Sequence, residues 1–162
     1  MQTIEKKSLK VGKYVSNKHV DSVIRNYKTE RWVHNSERIG KEDSLSAWWS
    51  VEELEDFIEK AKMYGADGVK FYFAAYDEKT AHDPLYIGRQ TLVMVGTKQK
   101  ENADGTVKNK DIYVNTDNGN QILAYNASAL CPPYCGQNTD TLDGNEIGVT
   151  LIDKGNDGFV VI

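Results

Sequence analysis

The spacing of apolar residues changes from a helical period to a strand period part-way along the chain. Val20, Val23, Ile24 and Tyr27 recur at i, i+3, i+4 and i+7, which places them on one helix face and predicts a helix near 17–28. Ser16 or Asn17 can cap it, because a short side-chain oxygen accepts from an unpaired first-turn N–H. A second helix is predicted over 51–64. Ser50 and Glu53 have the spacing of a capping box, and Trp49 can pack on Leu54 as a hydrophobic staple. Leu54, Phe57, Ile58, Ala61 and Tyr64 make its apolar stripe, while Glu52, Glu55, Glu59 and Lys62 face water. Gly65 suits the left-handed residue that ends a helix. Between these helices, residues 29–46 are polar with Trp32, Val33 and Ile39 as sparse anchors, which predicts a connecting segment with at most a further helical turn.

After Gly65 the period is two. In the run from Gly68 to Tyr76, Val69, Phe71, Phe73 and Ala75 point one way and Lys70, Tyr72, Ala74 and Tyr76 the other. The first set is expected under the helices. Residues 77–90 form a loop around Asp83-Pro84, and the strand 91–97 is apolar on both faces, as a central strand is. Asp67-Gly68, Asp104-Gly105, Asn118-Gly119, Asp143-Gly144 and Asp157-Gly158 punctuate the chain. From 104 onward they separate short strand candidates at 111–115, 121–126, 147–152 and 158–162, the signature of antiparallel hairpins. Helices first and hairpins afterwards predict an α+β fold, with two or more helices on one face of a mainly antiparallel sheet of about four to six strands.

The length of 162 residues is that of one domain spanning 1–162, with 1–15 as a lead-in and 136–162 as a C-terminal extension shaped as a hairpin. A net charge of −4 argues against affinity built on neutralising phosphates, so nucleic acid is not an expected partner. No apolar run has the roughly 18 residues needed to span a bilayer. The first ten residues carry Glu5, Lys6, Lys7 and Lys10 in place of an apolar leader, which points to a cytoplasmic protein unless an export signal precedes Met1.

Candidate chemistry is sparse. Cys131-Pro132-Pro133-Tyr134-Cys135 is the one local pattern that packing does not require. Two prolines cannot continue a helix, so the cysteines sit at a tight corner. Three readings stay open for them: reduced thiols, a local disulfide, or a thiol or metal site. The x3 spacing departs from the x2 of common zinc and redox motifs. His19, His34 and His82 have no partner spacing that makes a metal site, and His82-Asp83 sits in a polar loop. The carboxylates Glu52, Glu53, Glu55 and Asp56 are split between helix faces. No residue is assigned a catalytic or metal-binding role, and no cofactor is implied. The remaining candidate is a surface: Lys70, Tyr72 and Tyr76 share the sheet face opposite the helices, and Trp48 diverges from Trp49 toward solvent. A half-open, tyrosine-bearing sheet face can bind a ligand or another chain, and the competing expectation is that the C-terminal hairpin folds over this face and buries it.

Several short runs in their order also resemble a group of small uncharacterised bacterial proteins. They are Asn26-Tyr27, Ser46-Ala47-Trp48, Gly68 to Tyr72 (Gly-Val-Lys-Phe-Tyr), Leu92 to Gly96 (Leu-Val-Met-Val-Gly) and Leu130 to Cys135. The resemblance covers residues 14–136 and implies neither an activity nor catalytic residues. The expected function is therefore a non-enzymatic binding or interaction module using the face with Tyr72 and Tyr76. Two alternatives stand beside it: a thiol- or metal-dependent protein centred on Cys131 and Cys135, and a structural role in which the strand Phe159–Ile162 pairs with another chain.

Overall fold

The structure is a computed structural model and describes residues 10–135 together with the strands 151–153 and 159–161. It is α+β. Helix α1 (Asn17–Tyr27) starts at Ser16, whose Oγ accepts the N–H of His19 at 3.3 Å. The helical path then continues where a connecting segment is expected. A π-helical turn (Lys28–Trp32) leads into α2 (Val33–Ile39), which ends at Gly40 with φ of 70°. Side-chain hydrogen bonds fix this extension, and hydrophobic spacing does not register them. Trp32 Nε1 donates to the carbonyl of Asp43 at 2.7 Å, and Asn35 Nδ2 donates to Asp43 Oδ2 at 3.0 Å.

Helix α3 (Val51–Met63) has the capping box in full. Ser50 Oγ accepts from Glu53 N at 3.1 Å, and Glu53 Oε2 accepts from Ser50 N at 2.9 Å. Trp49, Phe57 and Met94 form its core contact, with Leu54, Val69 and Leu92 packed around them. The buried stripe is narrower than the sequence predicts. Ile58 is 40% exposed and Tyr64 is also exposed, because the positions that meet the sheet are Leu54, Phe57 and Ala61.

Strand β3 (Gln90–Glu101) is central. On one side it pairs along its first two thirds with β2 (Gly68–Ala75), in a register running from Gly68 opposite Thr97 to Ala75 opposite Gln90. On the other side it pairs with β4 (Val107–Asp111) and β7 (Ala124–Tyr125). A hairpin of β5 (Tyr113–Thr116) and β6 (Gly119–Ile122) turns at Gly119, whose φ of 96° suits glycine. Strand β1 (Ser46–Trp48) pairs with β8 (Ala129–Cys131). Near the C-terminus β9 (Leu151–Asp153) pairs antiparallel with β10 (Phe159–Val161), and β10 lies beside α1. The predicted residues 147–150 and the Asp143-Gly144 turn lie outside the described residues. All strand pairs described are antiparallel. No helix among the described residues is long and apolar enough to cross a membrane.

One expectation about the sheet is corrected. Phe71 and Phe73 share a face with Leu92 and Met94, the face that α3 covers, yet they are 49% and 82% exposed. Helix α3 packs over β3 and Val69 and does not extend over the outer half of β2. How far the helix reaches along β2, which periodicity cannot reveal, leaves two phenylalanines open.

Candidate functional site

Among the described residues, β2 has a strand neighbour on one side only. The N–H of Tyr76 donates to the carbonyl of Arg89 at 3.1 Å, which extends the ladder by one pair. Even-numbered residues of β2 therefore exchange hydrogen bonds with β3, and Val69, Phe71 and Phe73 turn their N–H and C=O groups to the outer edge. Three successive aromatic side chains line that edge. Tyr72, pointing to the opposite face, is 41% exposed.

Two clefts meet at Phe73 and Gln90. The smaller, about 210 Å³, is walled by Tyr27, Leu45, Ser46, Ala47 and Leu92. The larger, about 540 Å³, runs between α2 and the end of β2, with Asn35, Arg38, Ile39, Ala74 and Gly88 along it. Their shared wall is held from behind. Asp43 is buried, and its Oδ1 accepts the backbone N–H groups of Gln90 at 2.6 Å and Ser44 at 2.8 Å. Tyr27 OH donates to Gln90 Oε1 at 2.7 Å. Burial, and then the nearby charge of Asp43, raise the Tyr27 hydroxyl above its ordinary pKa, so it stays a neutral donor. Buried Arg89 donates Nε to the carbonyl of Leu85 at 2.8 Å and Nη1 to that of Glu42, tying the loop before β3 to the segment before β1.

Of the predicted surface residues, the structure brings Lys70 and Tyr72 together and separates the other two. Lys70 Nζ donates to Asp111 Oδ1 at 2.7 Å and to the carbonyl of Asn109 at 3.1 Å, and Tyr72 OH donates to Asp111 Oδ2 at 2.6 Å. The hydrogen bond to Asp111 is the main cause that raises the Lys70 pKa, and the same bond lowers that of Asp111. Asp111 is the member that sequence reasoning missed; it enters the site from β4, across β3, and only the strand order reveals it. Trp48 is exposed as expected, but on β1, in a different sheet.

Tyr76 is a correction. It is 6% exposed and belongs to an aromatic cluster under the 77–90 loop rather than to the open face. Its ring stacks on Tyr86, and His82 meets both edge-on. Its hydroxyl donates to Asn126 Oδ1 at 2.7 Å. Tyr76 keeps the alternation of β2, with its hydroxyl beside Thr91, the residue opposite Ala74. It is buried because Tyr86 and Leu130 cover that end of the face, where Gly88 N–H donates to the Tyr76 carbonyl and folds the loop back.

Cys131 and Cys135 are joined as a disulfide with Cα atoms 4.8 Å apart. The corner is a clasp. Cys131 carbonyl accepts from Leu45 N at 2.7 Å, and Tyr134 OH donates to Asp83 Oδ2 at 2.5 Å. That bond lowers the Asp83 pKa and raises the Tyr134 pKa. Asp83 is thereby held as a carboxylate by Tyr134 rather than set up with His82 for proton transfer. Among the described residues no group of three His, Cys, Asp or Glu side chains is placed to hold a metal ion. No family model, curated protein or solved structure matches the chain.

Proposed function

We propose that the chain is a non-enzymatic interaction module that takes an extended polypeptide segment along the outer edge of β2. The observation that carries this reading is the exposure of Phe71, Tyr72 and Phe73 in succession on an eight-residue edge strand. A segment added there satisfies the outward N–H and C=O groups of Val69, Phe71 and Phe73, which supplies affinity. Its alternate side chains meet Phe73 and the two clefts beside it, which supply selectivity. The ionisable groups nearby suit binding better than catalysis. Asp111 holds Lys70 in its charged form, so Lys70 is a fixed cation at neutral pH and not a base.

The test is a selection of displayed random peptides on the folded protein. Peptides with alternating apolar residues should be enriched on the wild type, protect the amides of Val69, Phe71 and Phe73 from hydrogen exchange, and bind Phe73→Glu poorly. Equal enrichment on wild type and Phe73→Glu, or protection confined to another region, would sink the reading.

A further inference from the structure

We infer that the segment received on the β2 edge is β2 of a second copy of this chain, paired antiparallel about a two-fold axis at Tyr72. The inference rests on the reading of β2 as the docking edge and names its occupant.

The edge is complementary to itself. Only odd-numbered residues of β2 turn backbone hydrogen-bonding groups outward, so a symmetric antiparallel pairing must set odd residues opposite odd residues. Centred on Tyr72, the register places Phe71 opposite Phe73 of the second copy, and Phe73 opposite its Phe71. Val69 lies opposite Ala75 of the copy and Lys70 opposite Ala74. Every outward N–H and C=O between Val69 and Ala75 then has a partner. The four phenylalanines lie on one face, next to the face of each subunit that carries Leu92 and Met94, and their cross-strand aromatic pairs stabilise the ladder.

Charge selects among registers. A two-fold axis at Lys70 sets two ammonium groups directly opposite each other, which destabilises a strand pair. With the axis at Tyr72 the two Lys70 positions are four residues apart along the strand, about 13 Å, beyond a Debye length of about 8 Å at physiological salt. Each lysine is also matched within its own subunit by Asp111 at 2.7 Å. An axis at Phe71 keeps one phenylalanine pair and leaves Phe73 against Val69, so it places less aromatic surface together. The assembly closes, because a two-fold pairing consumes both open β2 edges and leaves neither for a third chain.

Sedimentation equilibrium over a wide concentration range, joined to cysteine cross-linking, tests this. The wild type should associate to a dimer, and Phe73→Glu should weaken that association at least about tenfold, as for an interface anchor. Its far-UV circular dichroism should be unchanged, because Phe73 is exposed in the single chain. The register gives a sharper readout. Tyr72→Cys should cross-link to itself on mild oxidation, since directly opposed residues fall within the roughly 7 Å that a disulfide spans. Phe71→Cys mixed with Phe73→Cys should give a mixed disulfide, while neither does so alone. A monomer at every concentration, a dimer indifferent to Phe73→Glu, or self-cross-linking of Phe71→Cys or Lys70→Cys would each overturn the proposal. The peptide selection is a separate readout: a monomer that still enriches β2-binding peptides would remove the second copy as occupant and leave the docking edge standing.

Discussion

Asp43 Oδ1 accepts the backbone N–H of Gln90 at 2.6 Å, joining the segment before β1 to the first residue of the central strand. The same carboxylate takes Ser44 N and Asn35 Nδ2, so one buried side chain sets the wall that both clefts share. Replacing it by alanine leaves buried donors without an acceptor, each costing about 1–3 kcal/mol. Asp43→Ala should therefore lose about 3 kcal/mol or more of unfolding free energy. Asp43→Asn keeps an acceptor oxygen and should lose distinctly less. Urea titration of both variants checks this, and equal losses would mean that the charge matters rather than the acceptor.

The helix stripe supplies a contrast within one element. Phe57 is buried against Trp49 and Met94, and Phe57→Ala should cost about 3–5 kcal/mol. Ile58, one residue on, is 40% exposed, and Ile58→Ala should cost less than about 1 kcal/mol. Comparable losses at the two sites would place the core contact of α3 on a different face.

The link between Tyr134 and Asp83 predicts a pH dependence with two sides. The hydrogen bond from Tyr134 holds the Asp83 pKa below its ordinary 3.8. Stability from this group is complete above 3.8 and is lost as pH falls through the lower folded value, because the unfolded chain then binds more protons. The Tyr134 pKa is raised above its ordinary 10.0, mainly by the same bond. Its contribution is complete below 10.0 and is lost as pH rises through the folded value. Tyr134→Phe should flatten the stability profile at both ends by removing a small contribution from the neutral plateau, since the bond is only partly buried. Thermal unfolding from acid to alkaline pH reads this, and an unchanged profile would remove the link from the account.

Reduction of Cys131–Cys135 should destabilise modestly. The bridge spans four positions, and closing so short a loop contributes about 2 kcal/mol in the chain-entropy account. The double variant Cys131→Ser with Cys135→Ser should match the reduced wild type in urea titrations. A reduced wild type far less stable than that variant would show that the free thiols do harm of their own.

Some of this architecture was legible in the sequence because it is local. The Ser50–Glu53 capping box, the turns at Gly105 and Gly119 and the central position of residues 91–97 each follow from neighbouring residues or from period alone. What periodicity did not convey is sheet order. Val69, Phe71 and Phe73 alternate identically, yet the α3 cluster covers the first and leaves the others open, because the helix packs at the Val69 end of β2 only. Asp111 joined Lys70 and Tyr72 through pairing across β3 rather than through any spacing in the chain. The helical run to Ile39 was hidden for a related reason: Trp32 and Asn35 are anchored by Asp43, a contact that no hydrophobic stripe announces.

Gly96 lies where Ala61 of α3 and Leu123 both close on β3. A Cβ added there would lie 3.0 Å from Leu123 Cδ2 and 3.4 Å from Ala61 Cβ. Its N–H and C=O are both engaged on the side away from β2, since Gly96 N donates to Leu123 O at 3.0 Å and Gly96 O accepts from Ile112 N at 2.9 Å. The strand cannot shift outward without stretching those bonds, and Ala61 is already the smallest side chain on its helix face. Leu123, also buried, has to give way instead. Gly96→Ala should therefore cost about 1–3 kcal/mol, as overpacking of a filled core does. Pairing it with Leu123→Ala makes room for the added methyl, so the double variant should lose less than the sum of the two single losses. Additive losses in a double-mutant cycle would mean that the helix moves away as a body and that Leu123 does not set the limit on its approach.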